Sequence, residues 1–493
     1  MADLKKVASN TTYYTLSTIL LRASSLIFFP IFSLYLTKSD YGTFSVVQSI
    51  VLIVGLLGGL GLNTALTRFI YYNTESKSES SDHDTIIFTT LISNLGGQLV
   101  FISLFLLVGP YILGPILKDI PFYPYVLIGL ITLPLNSLID TARAYFKSIH
   151  EGRKAFLLDI CFFSSNILFN LIFVVGLGYD VLGLFLGVLS NTILFSIILI
   201  VVFYSKFTFR FKPKVWKGMV KYAVPLLPFV FLNVVFESID KLFLNANNGS
   251  SDSGIYYLAL TFAAIFSSFK EAIISALTPW VFENMKTSIA NISRVFNVIL
   301  LTAGILGFLI SLFSQEVLTL LSSKPEFIEA YRYVPFAIIS FYIIFLGQLF
   351  NIKTLYFGNY HKFLFVATSL GIVSEIIACY FLIPLYGLTG AIVSRVIAFS
   401  MQTILFVYYS KKETEYQNLY DYKFLFACLF FMSLLISIPF FIEFNYSFLM
   451  NLSIKTGILV LVIILIYLFF KKEIKSSVGF IADFIPFLKK YIS

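Results

Sequence analysis

The chain has 493 residues, of which 58% are hydrophobic and only 12% are charged. Soluble domains carry about 25% charged residues, so this composition excludes a soluble protein and indicates a chain embedded in a membrane. The net charge of +9 lies mainly in the connections between apolar runs, which indicates membrane orientation and not binding to nucleic acid. The three cysteines lie inside apolar runs, so the sequence predicts neither a disulfide framework nor a metal site.

About fourteen apolar runs follow one another along the chain, and each is long enough to cross the roughly 30 Å hydrocarbon core of a bilayer as a helix. Because the runs are continuous and do not alternate between apolar and polar residues, a membrane-spanning barrel is excluded. We therefore predict an all-α polytopic membrane protein with about 14 transmembrane helices. In order, the runs cover approximately residues 12–36, 42–70, 85–108, 121–146, 155–178, 181–204, 219–245, 254–282, 291–314, 331–353, 362–384, 387–410, 421–442 and 449–470.

The lysines and arginines around the runs predict the orientation in the membrane. If both termini lie on one side, that side carries 24 of these residues, whereas the other side carries four, namely Lys38, Lys118, Lys324 and Arg332. Cytoplasmic connections are enriched in positive charge. The sequence therefore predicts that both termini are cytoplasmic.

Weak internal similarity predicts two lobes. Asp40-Tyr41-Gly42, between the first two helices, has a counterpart in Asp252-Ser253-Gly254, between helices seven and eight. Two repeats of six helices around a central cavity are a transporter architecture. The predicted parts are an N-terminal lobe, a basic cytoplasmic linker, a C-terminal lobe, two additional helices and a cytoplasmic amphipathic tail, at 1–204, 205–218, 219–410, 411–470 and 471–493 respectively. Pro225 and Pro228 are predicted to interrupt and bend helix seven.

Charged residues within the predicted spans are candidate functional residues, because a charge in hydrocarbon is costly unless it faces protein or a water-filled cavity. Arg22 lies about ten residues into the first run, which places it near the midplane of the bilayer at a rise of about 1.5 Å per residue. Arginine also matches phosphate oxygens with two parallel donors. The remaining candidates, with coupling or structural roles, are Glu237, Asp240, Lys241, Glu271, Glu375 and Arg395.

Several polar residues are predicted to pair with each other. Glu375 and Arg395 lie at nearly equal distances from the turn at 385–386, so they should reach the same depth and form a structural ion pair. Asn170 and Asn191 are placed in the same way about an earlier turn and could share a hydrogen bond. Asp140 and Arg143, three residues apart, are predicted to form a local pair.

Four stretches give the chain a family resemblance. They are the arginine-bearing first helix, TKSDYGTFS at 37–45, GLGLNTALTRF at 59–69, and SIDK at 238–241 followed by GIYY at 254–257. The chain thereby resembles the polysaccharide-export flippases of O-antigen type, which act on lipid-linked oligosaccharides and belong to the multidrug/oligosaccharidyl-lipid/polysaccharide (MOP) superfamily. With the number of helices, the resemblance covers almost the whole chain.

The resemblance implies a function and a set of contacts. The expected substrate is an undecaprenyl-diphosphate-linked glycan, moved from the cytoplasmic to the outer leaflet of a bacterial cytoplasmic membrane through a cationic central cavity. Related lipid II flippases use cationic residues of helices one, two and eight, which implies substrate-binding roles for Arg22, Arg68 and Lys270, with lysine at 270 where that pattern has arginine. A polysaccharide polymerase and chain-length machinery are possible partners. No cofactor and no enzymatic activity are expected.

Two alternatives remain open at this point. One is a multidrug or cation antiporter of the same superfamily, which should carry acidic cavity residues, whereas the first helix offers Arg22 and no carboxylate. The other is a non-transporting membrane scaffold for polysaccharide assembly, in which charges of the cavity would be dispensable. The sequence predicts a flippase over both.

Overall fold

A computed structural model of the protein describes residues 28–75, 81–357, 361–412, 415–416, 419–442, 447 and 449–470. The tail predicted at 471–493, the first helix up to residue 27 and Arg22 within it lie outside the described residues. From residue 28 to residue 35 the chain is helical.

The described residues form helices connected by short loops, which confirms the all-α polytopic fold. Twelve of these helical stretches are long and apolar enough to cross a membrane. One of them, Phe363–Lys412, contains Gly387 with the non-helical angles φ 54° and ψ −127°, and so holds the two helices predicted at 362–384 and 387–410. The helices are α1 (Lys38–Gly59), α2 (Leu62–Glu75), α3 (Ser81–Leu117), α4 (Tyr125–Ser148), α5 (Gly152–Asn170), α6 (Asp180–Val202), α7 (Pro213–Ala223), α8 (Leu227–Phe236), α9 (Ile239–Asn248), α10 (Ser250–Asn284), α11 (Ile289–Leu312), α12 (Ser314–Leu321), α13 (Val334–Tyr356), α14 (His361–Lys412), α15 (Tyr422–Phe441) and α16 (Leu449–Phe470).

The start and the end of α1 are fixed by local sequence. At its start Thr37 and Asp40 form a capping box, in which the Asp40 N–H donates to Thr37 Oγ1 and the Thr37 N–H donates to Asp40 Oδ2 at 2.7 Å. At its end Leu60 and Gly61 have φ angles of 49° and 65°, which stop a right-handed helix. The second predicted span, 42–70, is therefore two helices, α1 and α2, and not one.

Two further predictions concern local structure. Helix seven is interrupted as predicted, because a 3-10 turn at Val224–Leu226, which contains Pro225 and is followed by Pro228, separates α7 from α8. The predicted hydrogen bond between Asn170 and Asn191 is wrong. The Asn170 amide donates to Asn166 at 3.0 Å and the Asn191 amide donates to the Phe162 carbonyl at 3.1 Å, so α5 supplies the acceptor for both amides.

The chain divides into two compact units, Met1–Leu258 with Glu375–Ala391, and Ala259–Ser374 with Ile392–Ser493. In the first unit, α2 and α3 pack against α7 and against α4, around buried Leu66, Ile87 and Met219. The lobes predicted at 1–204 and 219–410 stay a prediction.

In the second unit, α11, α13 and α15 pack together. The Tyr342 hydroxyl donates to the Leu300 carbonyl at 3.0 Å, and the Ser311 hydroxyl donates to the Ile436 carbonyl at 2.7 Å. A buried ion pair, Lys455 with Glu316 at 2.8 Å, joins α16 to α12. The helices that follow residue 411 are therefore attached to this unit by both packing and charge.

The first turns of α1 and α10 pack directly against each other within the first unit. A Cβ on Gly42 would lie 1.8 Å from the Ser250 carbonyl oxygen, and a Cβ on Gly254 would lie 1.7 Å from the Lys38 carbonyl oxygen. The hydroxyls of Ser39 and Ser250 are 2.6 Å apart. We call this contact, made by Ser39, Gly42, Ser250 and Gly254, the α1–α10 junction. Only glycine permits so close an approach of two backbones.

Candidate functional site

The helix α2 is amphipathic, with one apolar face and one polar face. Leu62, Ala65, Leu66 and Ile70 are buried in the core of the first unit. The opposite face carries residues at the helical spacing that brings side chains together, namely Asn63, Thr64, Thr67, Arg68 and Tyr71. Burial of the apolar face therefore holds Arg68 toward a cavity.

That cavity has a volume of about 590 Å³, and we call it the cationic pocket. Arg68 lines it from α2, Lys147 from the last turn of α4, and His150 from the connection that follows. Neutral donors and acceptors complete the lining, namely Asn63, Thr64, Thr67, Tyr71, Ser148 and Tyr222. Among the residues that the structure describes, the lining holds two permanent positive charges, an imidazole and no carboxylate, so the cavity suits an anion.

The Arg68 guanidinium lies 4.2 Å from the centroid of the Tyr222 ring, which α7 contributes. This cation–π contact is worth about 0.5–1 kcal/mol at an exposed site. The contact restricts where the guanidinium lies, and the planar set of N–H donors of arginine suits an anion with several oxygens.

A second cavity of about 420 Å³ adjoins the first, and Asn63 and Thr64 line both. We call it the amide pocket, because five carboxamide side chains line it. These are Gln48, Asn63, Asn94, Gln98 and Asn136. Close packing of α1 on α3 shapes this cavity, since a Cβ on Gly97 would lie 2.3 Å from the Gly58 carbonyl oxygen.

The acidic residue of the amide pocket is Asp140, which is held by an ion-pair chain. Arg143 lies 2.7 Å from Asp140 and 2.7 Å from Asp159 on α5. The predicted local pair is therefore confirmed, and Asp159 extends it.

The sequence of the first half of the chain decides the family. Residues 7–285, more than half of the chain, match the family model described as polysaccharide biosynthesis protein. The chain belongs to this family. The family expected from the sequence is thereby confirmed. Among curated proteins, none matches the sequence.

Solved structures show the same fold at low sequence identity. A lipid II flippase, MurJ, in an inward closed conformation superposes with a TM-score of 0.64 at 13% identity, covering 92% of this chain and 100% of that one. The MATE multidrug transporter DinF-BH, solved as a complex, gives 0.59 at 17% identity, covering 84% and 96%. A MATE family transporter of the MOP superfamily in an inward-facing conformation gives 0.57 at 14% identity, covering 80% and 99%. This polysaccharide biosynthesis protein therefore has the fold of MOP transporters.

In this polysaccharide biosynthesis protein, Lys270 has partners within the second unit. The buried ammonium lies 2.6 Å from Glu271 and 3.2 Å from Gln348. Lys270 is 4% exposed. Its role in substrate binding stays a proposal, since Glu271 already compensates the charge of this lysine.

The predicted charges near the end of α8 lie in the first unit. Asp240 is fully buried, accepts from the Lys241 N–H at 2.8 Å and accepts a short hydrogen bond from the Tyr256 hydroxyl. Glu237 is exposed at the end of α8. These contacts are consistent with a structural role for Asp240, and the coupling or structural roles of all three charges stay predictions.

Glu375 and Arg395 are both buried, at 0% and 4% exposure. The Arg395 guanidinium lies 5.4 Å from the Phe341 ring and 5.2 Å from the Phe399 ring. Two aromatic faces thus contribute to holding this charge within the membrane. Pairing of Glu375 with Arg395 stays a prediction.

Sequence reasoning did not bring Lys147, His150 and Tyr222 together with Arg68. They come from α4, from the connection after it and from α7 respectively. The carboxamides of the amide pocket carried a usable signal, since amides within apolar runs are costly unless they face protein or a cavity. Among the described residues, no group of three His, Cys, Asp or Glu side chains could hold a metal ion.

Proposed function

We propose that this protein moves an undecaprenyl-diphosphate-linked oligosaccharide from the cytoplasmic to the outer leaflet of the bacterial cytoplasmic membrane by alternating access. The observation that carries the proposal is the cationic pocket, in which Arg68, Lys147 and His150 line one cavity together with hydrogen-bonding neutral side chains. The family membership supports a role in polysaccharide biosynthesis. The fold supports transport.

The diphosphate is the part of this substrate that cannot cross hydrocarbon unaided, because burying its charge without partners is prohibitively costly. Arginine offers a planar set of donors that matches phosphate oxygens, and lysine adds a point charge. Together these residues replace the water around the headgroup. Arg22 and Lys270 are proposed to contact the diphosphate along its path.

The α1–α10 junction supports alternating access. It closes the end of the first unit where α1 and α10 begin, and Asp119 strengthens it by accepting from the Ser250 N–H at 3.1 Å. Asp119 precedes the start of α4, whereas Lys147 places the cationic pocket at the end of that helix. The length of α4, about 35 Å at a rise of about 1.5 Å per residue, therefore separates Asp119 from the pocket. If the side with more lysines and arginines is cytoplasmic, the pocket opens to the cytoplasm while the outer end is closed.

A multidrug antiporter is the alternative that the fold keeps open. A cationic drug would meet like charges in the cationic pocket, which is unfavourable. In the amide pocket, Asp140 is already held by Arg143 at 2.7 Å. An association with a polysaccharide polymerase is a further proposal.

Surface-polysaccharide production in cells that depend on this protein tests the proposal. Arg68→Ala should lower export at least tenfold at normal membrane abundance, and Arg68→Lys should keep partial export because the charge remains. Arg153→Ala is the matched control, since Arg153 is an exposed arginine that does not line the pocket. Full export by Arg68→Ala would contradict the role of the pocket and would favour a scaffold.

Arg22 is tested in the same cells. If it contacts the diphosphate, Arg22→Ala should abolish export without lowering abundance, and Arg22→Lys should retain part of it. If Arg22 belongs to a structural ion pair, Arg22→Ala should instead lower the amount of protein in the membrane. Full export by a stably inserted Arg22→Ala protein would remove Arg22 from the substrate path.

A further inference from the structure

The amide pocket and the cationic pocket form one continuous lining. Asn63 and Thr64, neighbours on α2, contribute to both cavities, and Arg68 follows about one turn later. A ligand with its anionic group at Arg68 can therefore extend past Asn63 into the amide pocket. Such a ligand is charged at one end and neutral at the other.

Two buried acceptors in the amide pocket have no donor among the described residues. They are Asn94 Oδ1 and Gln98 Oε1, on side chains that are 2% and 5% exposed. Their amide N–H groups are already used, since Asn94 donates to Asn63 Oδ1 at 3.1 Å and Gln98 donates to the Gly55 carbonyl at 2.7 Å. Buried polar atoms are rarely left without a partner, so these two oxygens call for a ligand that donates hydrogen bonds.

The size and charge of the cavity favour a polyhydroxylated ligand over a metal cation. Its volume of about 420 Å³ lies within the range of about 300–1,000 Å³ for small-molecule sites. The carboxylate that lines the cavity, that of Asp140, is already paired with Arg143 at 2.7 Å, which lowers the attraction of the site for a bare cation. Apolar side chains, including Val188, Val230 and Val234, line the remaining wall and can contact the C–H face of a sugar ring.

We propose that the amide pocket binds the sugar residue attached directly to the diphosphate, with Asn94 and Gln98 accepting hydrogen bonds from its hydroxyl or acetamido groups. This inference rests on the proposed function, because it takes the anionic end of the ligand to be the diphosphate at Arg68. It makes the first sugar a determinant of substrate choice. Neutral carboxamides suit this task, since they can both donate to and accept from hydroxyls.

Binding of two lipids to the purified full-length protein in nanodiscs tests the inference. One probe is undecaprenyl diphosphate, and the other is undecaprenyl diphosphate carrying a single N-acetylhexosamine. Gln98→Leu and Asn136→Leu should weaken binding of the sugar-bearing probe about tenfold, a difference of about 1.4 kcal/mol. Binding of the bare probe should stay unchanged, because neither residue lines the cationic pocket.

Two controls keep the test interpretable. Gln402→Leu removes an equally buried amide, which donates to Thr368 in the second unit, and should change binding of neither probe. Asn136 is only partly buried and forms no hydrogen bond with a described residue, so Asn136→Leu decides the question if Gln98→Leu fails to fold. Folding is followed by size-exclusion profile and melting temperature.

The outcomes separate the inference from the proposed function. Unchanged binding of both probes by the pocket variants, with binding of the bare probe still lost in Arg68→Ala, would overturn the sugar site and leave the flippase proposal intact. Failure of the wild-type protein to bind either probe would count against the proposed function itself. A third outcome would show a cation site and overturn the inference. In that case sodium chloride, but not choline chloride, would raise the melting temperature of the wild type and not that of Asn136→Leu, and Asn136→Leu would bind the sugar-bearing probe as the wild type does.

Discussion

At the scale of single residues, Arg68 combines a fixed position with an anion-binding geometry. Its guanidinium lies 4.2 Å from the centroid of the Tyr222 ring, and this contact restricts the long side chain before any ligand arrives. Restriction of a flexible side chain in advance lowers the entropy lost on binding. Lysine at this position would keep the charge but lose the planar donor set.

The pairing of Glu375 with Arg395 gives a prediction at this scale. Both side chains are buried, so removal of either charge should leave the other without compensation, at a cost of about 3–5 kcal/mol. The exchange Glu375→Arg with Arg395→Glu should therefore leave more protein in the membrane than either single change. Membrane abundance is measured by immunoblot against a tagged wild type, and equal loss in all three variants would reject the pairing.

Single residues also show what the sequence can and cannot predict. Arg68 and the Asp140–Arg143 pair were predictable, because a charge at the end of an apolar run or at helical spacing is a local pattern. The approach of Lys147, His150 and Tyr222 to Arg68 depends on how three separate helices pack, which no local pattern specifies. The Asn170–Asn191 prediction failed because equal depth brings two side chains near each other without deciding which acceptor is closer.

At the scale of helices, the break between α1 and α2 positions both pockets. Leu60 and Gly61, at positive φ, end α1 and redirect the chain, so that Asn63 and Thr64 in the first turn of α2 lie at the boundary of the two cavities. The interruption of helix seven was predictable from its prolines. The break at Leu60 was not predictable, because leucine has no preference for positive φ and the apolar run continues through it.

The α1–α10 junction gives a prediction at this scale. Alanine normally stabilises a helix by about 1 kcal/mol relative to glycine, but a Cβ on Gly254 would collide with the Lys38 carbonyl. Gly254→Ala should therefore destabilise the protein by about 1–3 kcal/mol, because the two backbones must move apart.

The matched control is Gly96→Ala on α3, where a Cβ would meet nothing within 4 Å. Gly96→Ala should leave the melting temperature in detergent unchanged or raise it, whereas Gly254→Ala should lower it. Equal melting temperatures for the two variants would show that the junction does not constrain the helices. Reduced export by Gly254→Ala at normal abundance would connect the junction to transport.

At the scale of the whole molecule, the orientation of the chain is a direct prediction from charge. With 24 lysines and arginines on one side and four on the other, both termini are expected to be cytoplasmic. A reporter fused at Lys212, ahead of α7, should then report the cytoplasm, and one fused at Asn248, at the end of α9, should report the outside. The same compartment at both positions would contradict the topology and with it the direction proposed for the cationic pocket.

Translocation by the purified protein tests the central claim most directly. Proteoliposomes containing a fluorescent undecaprenyl-diphosphate-linked oligosaccharide are exposed to a membrane-impermeant glycosidase, and the fraction of glycan that is protected is followed with time. We predict that wild-type protein and Arg153→Ala exchange the glycan between leaflets well above the rate of protein-free vesicles, and that Arg68→Ala loses at least nine tenths of this rate. A wild-type rate equal to that of protein-free vesicles, under each of an imposed membrane potential, proton gradient and sodium gradient, would contradict the proposal that this protein is a flippase.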